Sequence, residues 1–210
     1  IIFKKPLENN FPEFLKEIQG IVDGANKQNN IVTLDEMILW NNFFSIGSTL
    51  PNISKFIDEI PELKSKYSSI IDSLSSGSLE GGGSDDKCSA FMAIGDYTHD
   101  GKICCAHNTF DNFVDGQFCN CIIFLQPKNG NSILYQGLPG FISSGTDIFI
   151  TSNGFIGTET TIGGFTAYRH KDPIAYRIRN CMQYANTLDD YVTMLKHNNS
   201  GDYANSWLIG

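Results

Sequence analysis

The chain has 210 residues, 41% of them hydrophobic and 12% aromatic, enough for one domain, or one domain with a short accessory segment, around a packed core. With 15 basic and 23 acidic residues it carries a formal net charge of −8. That balance excludes a nucleic-acid binder, which needs a basic face to displace counterions from phosphates, and the apolar content excludes disorder over most of the chain.

Mean hydropathy is −0.16, and the sequence contains no apolar run long enough to span a bilayer. The chain opens at Ile1 without a cationic-then-apolar leader and stops at Trp207-Leu208-Ile209-Gly210, which reads as the start of a buried strand. The expectation is a part of a longer polypeptide, incomplete at its C-terminal end.

Residues 7–66 read as helical. Phe11, Phe14, Leu15, Ile18, Ile21 and Val22 recur at three- and four-residue steps, the stripe of an amphipathic helix. Thr33 followed by Glu36 is a capping box that opens a second, largely buried helix carrying Met37, Ile38, Trp40, Asn41 and Phe44. Pro51 and Pro61 break the segment that follows into short pieces. The stretch 73–87 is almost pure Ser, Gly and Asp, with too little apolar surface to order itself, and reads as a linker.

From Cys88 the pattern becomes strand-like. Ser89 to Gly95 and Lys102 to His107 read as two strands around the turn signal Thr98-His99-Asp100-Gly101. Further strands are predicted at Cys119 to Leu125, Ser132 to Tyr135, Asp147 to Thr151 and Phe155 to Thr161. The helical period returns from Pro173, and Thr187 to Asp190 starts another helix. The organisation expected is therefore a helical segment 1–72, a linker 73–87 and a strand-rich catalytic part 88–210.

None of the six cysteines forms a CxxC pair, so zinc-ribbon and thioredoxin readings lack their spacing and no metal site is expected. Cys104, Cys105, Cys119, Cys121 and Cys181 read as small buried apolar side chains, with a disulfide between the two cysteine-bearing strands left open. Asn52-Ile53-Ser54 and Asn198-Asn199-Ser200 are glycosylation sequons.

The junction Asp85-Asp86-Lys87-Cys88 carries the chemistry. A thiol at the start of a strand, directly after a protease-accessible linker, suits an N-terminal-nucleophile hydrolase. In such an enzyme the chain cuts itself before the nucleophile, here between Lys87 and Cys88. The freed α-amine, of a kind that titrates near about 7.7–8, then serves as base to the thiol on the same residue. Position alone leaves the alternative open that Cys88 is a buried strand residue after a loop.

Several blocks in order resemble the phospholipase B-like proteins and their bacterial autoproteolytic relatives. Cys88-Ser89-Ala90-Phe91 looks like the start of the family's catalytic chain. His107-Asn108-Thr109-Phe110 is similar to its His-x-Thr-Trp segment, with Phe in place of Trp. Leu138 to Phe149 resembles its Pro-Gly…Ser…Asp-Phe block, and Glu159-Thr160-Thr161-Ile162 its Glu-Thr-Thr-Ile strand. Arg177 and Arg179 fall where the family has an Arg-rich helix, and Asn199 to Trp207 is similar to its Asn-Ser-Gly-x-Tyr-x-Asn-x-Trp motif. Ahead of the linker, Glu17 to Asn26 looks like the N-terminal chain of the bacterial relatives.

The resemblance implies an α+β fold, a four-layer αββα sandwich of two antiparallel sheets covered by helices. It also implies hydrolysis of an acyl ester or amide through an acyl-thioester on Cys88. The catalytic set it points to is Cys88, His107, Glu159 and Asn205, with Thr160, Phe110 and Arg177 at the substrate. Related bile-salt and penicillin-acylase-type hydrolases carry Arg at the position of His107, then Asn and an Asp, a carboxylate only Asp111 supplies here.

Each role has a plainer alternative. His107 is otherwise a packed core histidine, Glu159 a buried carboxylate ion-paired to Arg177 or Arg179, and Asn205 a turn residue rather than an oxyanion donor. A catalytically silent binding or structural module is the alternative to the enzyme. The resemblance implies no cofactor. The expected partners are a small lipid or N-acyl substrate and the chain's own cleaved N-terminal piece, with a homodimer left open and no nucleic acid. The compartment implied is lysosomal or secreted.

Overall fold

A computed structural model describes residues 2–61, 63–65, 88–110, 113–144, 148–163 and 167–210. The expected linker 73–87, with Lys87, and Asp111 lie outside the described residues. The chain divides into two compact units. One comprises Ile1–Ser84, Gly163–Tyr176 and Asn198–Ala204; the other comprises Asp85–Ile162, Arg177–His197 and Asn205–Gly210.

In the first unit the amphipathic stripe is shared by two helices, α1 (Lys4–Asn10) and α2 (Pro12–Lys27). They separate at Phe11 because Pro12, which has no N–H to give, takes the first helical position of α2. Leu7, Phe14, Ile18 and Val22 are buried. Thr33 and Glu36 form the capping box of α3 (Leu34–Asn41) in both directions.

The second, largely buried helix expected through Phe44 is corrected: α3 stops at Asn42, Leu39 is 48% exposed, and α4 (Phe43–Thr49) follows. The Asn42 side chain explains the break. Its Nδ2 donates back to the Ile38 carbonyl at 2.8 Å and to the Tyr176 hydroxyl, so it competes with the helical ladder and stays buried. The prolines then shorten the elements as expected, leaving 3-10 turns at Leu50–Asn52 and Ile57–Glu59 around α5 (Ile53–Phe56). Ile53, Ile60, Leu63 and Tyr168 close this core.

The second unit holds all the strands among the described residues. β1 (Ser89–Gly95) and β2 (Gly101–Asn108) pair as an antiparallel hairpin, entered and left through Gly95 and Gly101 at positive φ. β3 (Cys121–Leu125), β4 (Ile133–Gly137), β5 (Ile148–Thr151), β6 (Ile156–Thr161) and β7 (Asn205–Ile209) form one antiparallel sheet in sequence order. A short α6 (Phe113–Gly116) precedes β3. The strands read from alternation agree with these to within two residues at each end.

One face of this sheet is covered by helices, α7 (Ile174–Tyr184, from Arg177 on in this unit) and α8 (Leu188–Lys196). Ile133, Tyr135, Phe149, Thr151 and Gly157 are buried on it. Tyr191 of α8 stacks on Phe149 at 6.2 Å and meets Phe155 at 5.1 Å. Gln183 and Ala185 bond the loops at Asn129, Asn131 and Asn153. The architecture is α+β, with two antiparallel sheets.

Cys181 is buried, as the sequence implies, but Cys104 is exposed, because alternation turns it to the outer face of the hairpin. Cys104, Cys105, Cys121 and Cys181 are free thiols. Asn52 of the first sequon is buried, with Nδ2 donating to the Ser48 carbonyl at 2.7 Å, so the folded position offers a glycan no room. Among the described residues no helix is long and apolar enough to cross a membrane.

Candidate active site

The hairpin register pairs Ser89 with Asn108 and Ala90 with His107. Alternation then places Ala90, Met92, Ile103, Cys105 and His107 on one face, and Cys88, one residue ahead of β1, continues that row. The opposite face, with Ser89, Phe91, Lys102, Cys104 and Ala106, is exposed, whereas the Cys88 row is partly buried. His107 is diagonal to Cys88 across the ladder, a spacing of about 7–8 Å between backbones in such pairs. Phe110 follows at the same end of the hairpin and is 59% exposed.

The inner row of the hairpin meets the five-stranded sheet. A Cβ on Gly210 would lie 2.7 Å from Met92 Sδ and 3.4 Å from Ile103 Cδ1. Gly210 bonds Ile156 through both backbone groups, and Thr158 pairs with Leu208 and Thr160 with Ser206. The sheet face turned to the hairpin therefore carries Ile156, Thr158, Thr160, Ser206 and Leu208. Cys88, His107 and Thr160 share this layer.

Glu159 and Asn205 do not. Glu159 pairs with Trp207 and Thr161 with Asn205, and this row continues the face of Gly157 and Phe149, under the helices. Glu159 is fully buried there, where a carboxylate has to be held by polar partners. Arg177, also buried, donates from Nη1 to the Leu195 carbonyl and so joins α7 to the last turn of α8.

Two further residues, Thr158 and Ser206, stand in the layer and were not among the expected site residues. The signal for them was strand alternation with Thr160. His107 Nδ1 lies 3.3 Å from Thr109 Oγ1. Its Nε2 and Thr158 Oγ1 are buried without a hydrogen-bond partner among the described residues. Burial raises the Cys105 thiol above its ordinary value, with Cys104 adding to the shift, so Cys105 is a poor nucleophile near neutral pH. Among the described residues no group of three His, Cys, Asp or Glu side chains gathers as a metal ion would require.

The Asn199-to-Trp207 motif is structural in its first half. In the first unit, Asp202 is buried and accepts from Ser45 Oγ at 2.5 Å, from the Ile174 N–H at 2.9 Å and from Ser200 Oγ, so it caps the start of α7. Gly201, at φ +71°, has the Ala167 carbonyl oxygen 2.3 Å from where a Cβ would sit, so only glycine fits this turn.

The chain is 28% identical over 145 residues to phospholipase B-like 2 of Rattus norvegicus, an alignment covering 58% of this chain and 23% of the rat protein. The Mus musculus protein of the same name is 32% identical over 93 residues, covering 38% of this chain and 15% of its own length. The aligned stretches thus span less than a quarter of these relatives. The profile of the Phospholipase B family matches residues 6–210, nearly the whole sequence, and the chain belongs to that family.

Proposed function

We propose that this chain is the nucleophile-bearing part of a hydrolase that cleaves an acyl ester or amide through a thioester on Cys88, within an αββα N-terminal-nucleophile sandwich. The chain first cuts itself. The Cys88 sulfur adds to the Lys87 carbonyl carbon, the peptide C–N bond breaks as the nitrogen takes a proton, and water hydrolyses the thioester. Lys87 is left with a carboxylate and Cys88 with a free thiol and α-amine.

In turnover the α-amine takes the thiol proton as sulfur adds to the substrate carbonyl. The leaving alcohol or amine departs with that proton, and water cleaves the acyl-thioester to a carboxylic acid and the restored thiol. His107 orients the amine and the substrate, Thr160 and Phe110 lie along the acyl group, and Glu159 and Asn205 act as positioning residues through β6 and β7. The substrate is a lipid ester, in keeping with the names of the relatives, or an N-acyl amide. The cleaved N-terminal piece stays bound.

The observation that supports this reading best is the place of Cys88: immediately before β1, on the partly buried inner row, diagonal to His107. Intact-mass analysis and N-terminal sequencing test it. The expected result is two noncovalently associated pieces, the second beginning at Cys88, and a single chain for Cys88→Ala. A wild-type protein that stays uncut at Cys88 overturns it.

A further inference from the structure

Thr158 sits mid-strand in β6, fully buried, on the face turned to the hairpin. Its cross-strand neighbours on that face are Ile148 and Leu208, neither with a hydrogen-bonding side chain. Its Oγ1 has no partner among the described residues. A buried hydroxyl without a partner weakens a fold, and valine, of the same shape, would fill this place without that penalty. Packing does not account for the hydroxyl, whereas a ligand in the layer does.

We infer that Thr158 contacts the substrate of the Cys88 site, donating its hydroxyl hydrogen to the carbonyl oxygen of the acyl group. Negative charge gathers on that oxygen as the Cys88 sulfur adds to the carbonyl carbon, and a donor held out of water, as the fully buried Thr158 is, is worth most there. The inference rests on the proposed Cys88 chemistry. It supplies the donor that Asn205, on the helix-covered face, does not bring to this layer. His107 Nε2, buried and likewise without a partner among the described residues, opens onto the same layer and is a second group for the substrate. With Ile148 and Leu208 on either side of the hydroxyl, the class of substrate is an acyl group whose carbonyl is followed by an alkyl chain.

The test compares wild type, Thr158→Val, Thr158→Ser and Cys88→Ala in the natural protein, with 4-nitrophenyl laurate as probe. Nitrophenolate release and the mass of the Cys88 adduct give acylation, and a melting curve gives stability. Thr158→Val should lower the acylation rate constant by about 10²–10³-fold, as loss of one such donor does elsewhere, with KM little changed. Its melting temperature should be unchanged or higher, and Thr158→Ser should restore most of the rate. Acylation of the valine variant at the wild-type rate overturns the inference and leaves the Cys88 reading standing. So does a loss of rate that comes with a lower melting temperature and is not rescued by serine. A wild type that forms no adduct dependent on Cys88 removes both.

Discussion

The ring of Phe149 fills the space where Gly157 would carry a side chain: a Cβ built on Gly157 would lie 2.1 Å from Phe149 Cζ. The two residues pair across β5 and β6, and Tyr191 stacks on the other side of the ring. This contact packs β6 closely against β5 on the helix-covered face. Gly157→Ala should cost about 1–3 kcal/mol through overpacking. Urea unfolding reads this directly, and adding Phe149→Leu should recover part of the loss.

Asp202 gathers three donors, from Ser45, Ser200 and the Ile174 backbone, in a buried setting. Removing the acceptor leaves all three without it. Asp202→Ala should therefore destabilise the protein by at least about 3 kcal/mol, and Asp202→Asn by less, because the amide oxygen still accepts. Equal midpoints for the two variants in chemical denaturation would contradict this account.

The thiols should separate by reactivity. Burial pushes the Cys181 thiol up to about 12, an effect the nearby Arg177 only partly offsets, and Cys104 is exposed on the outer face of the hairpin. At pH 8, iodoacetamide with peptide mapping should label Cys104 early and Cys181 only after denaturation. Labelling of Cys181 in the native protein at the rate of Cys104 would be inconsistent with its burial.

Acid should weaken the fold through His170. Burial lowers its pKa below the ordinary 6.5, with Lys5 acting the same way, against the raising effects of a hydrogen bond with the Ile2 backbone and of the charge on Glu59. Well above pH 6.5 the ring is neutral in both states, and its contribution to stability is constant. As pH falls below 6.5 the unfolded chain binds a proton that the folded chain refuses, so stability declines until the folded pKa is passed. Melting curves from pH 7.5 to 5 should show this slope, and His170→Gln should flatten it.

Local rules in the sequence sufficed wherever the determinant is local. The capping boxes at Thr33 and Thr187 are made in both directions, because a side chain three residues from its partner needs no tertiary help. Turn glycines and period-two alternation located β1 to β6, and the alternation of β6 already separated Thr158 and Thr160 from Glu159.

Tertiary structure decided what those faces meet. Register between strands far apart in sequence set Glu159 and Asn205 under the helices and Thr158 in the layer with Cys88 and His107. Alternation states only that two neighbours point opposite ways, and the direction that becomes interior depends on which sheet or helix arrives to cover it. The exposure of Cys104 and the burial of Asn42 have the same origin. Cys104 stays in water because the sheet covers the other face of its hairpin. Asn42 is tolerated inside because Tyr176, 134 positions along the chain, accepts its hydrogen bond.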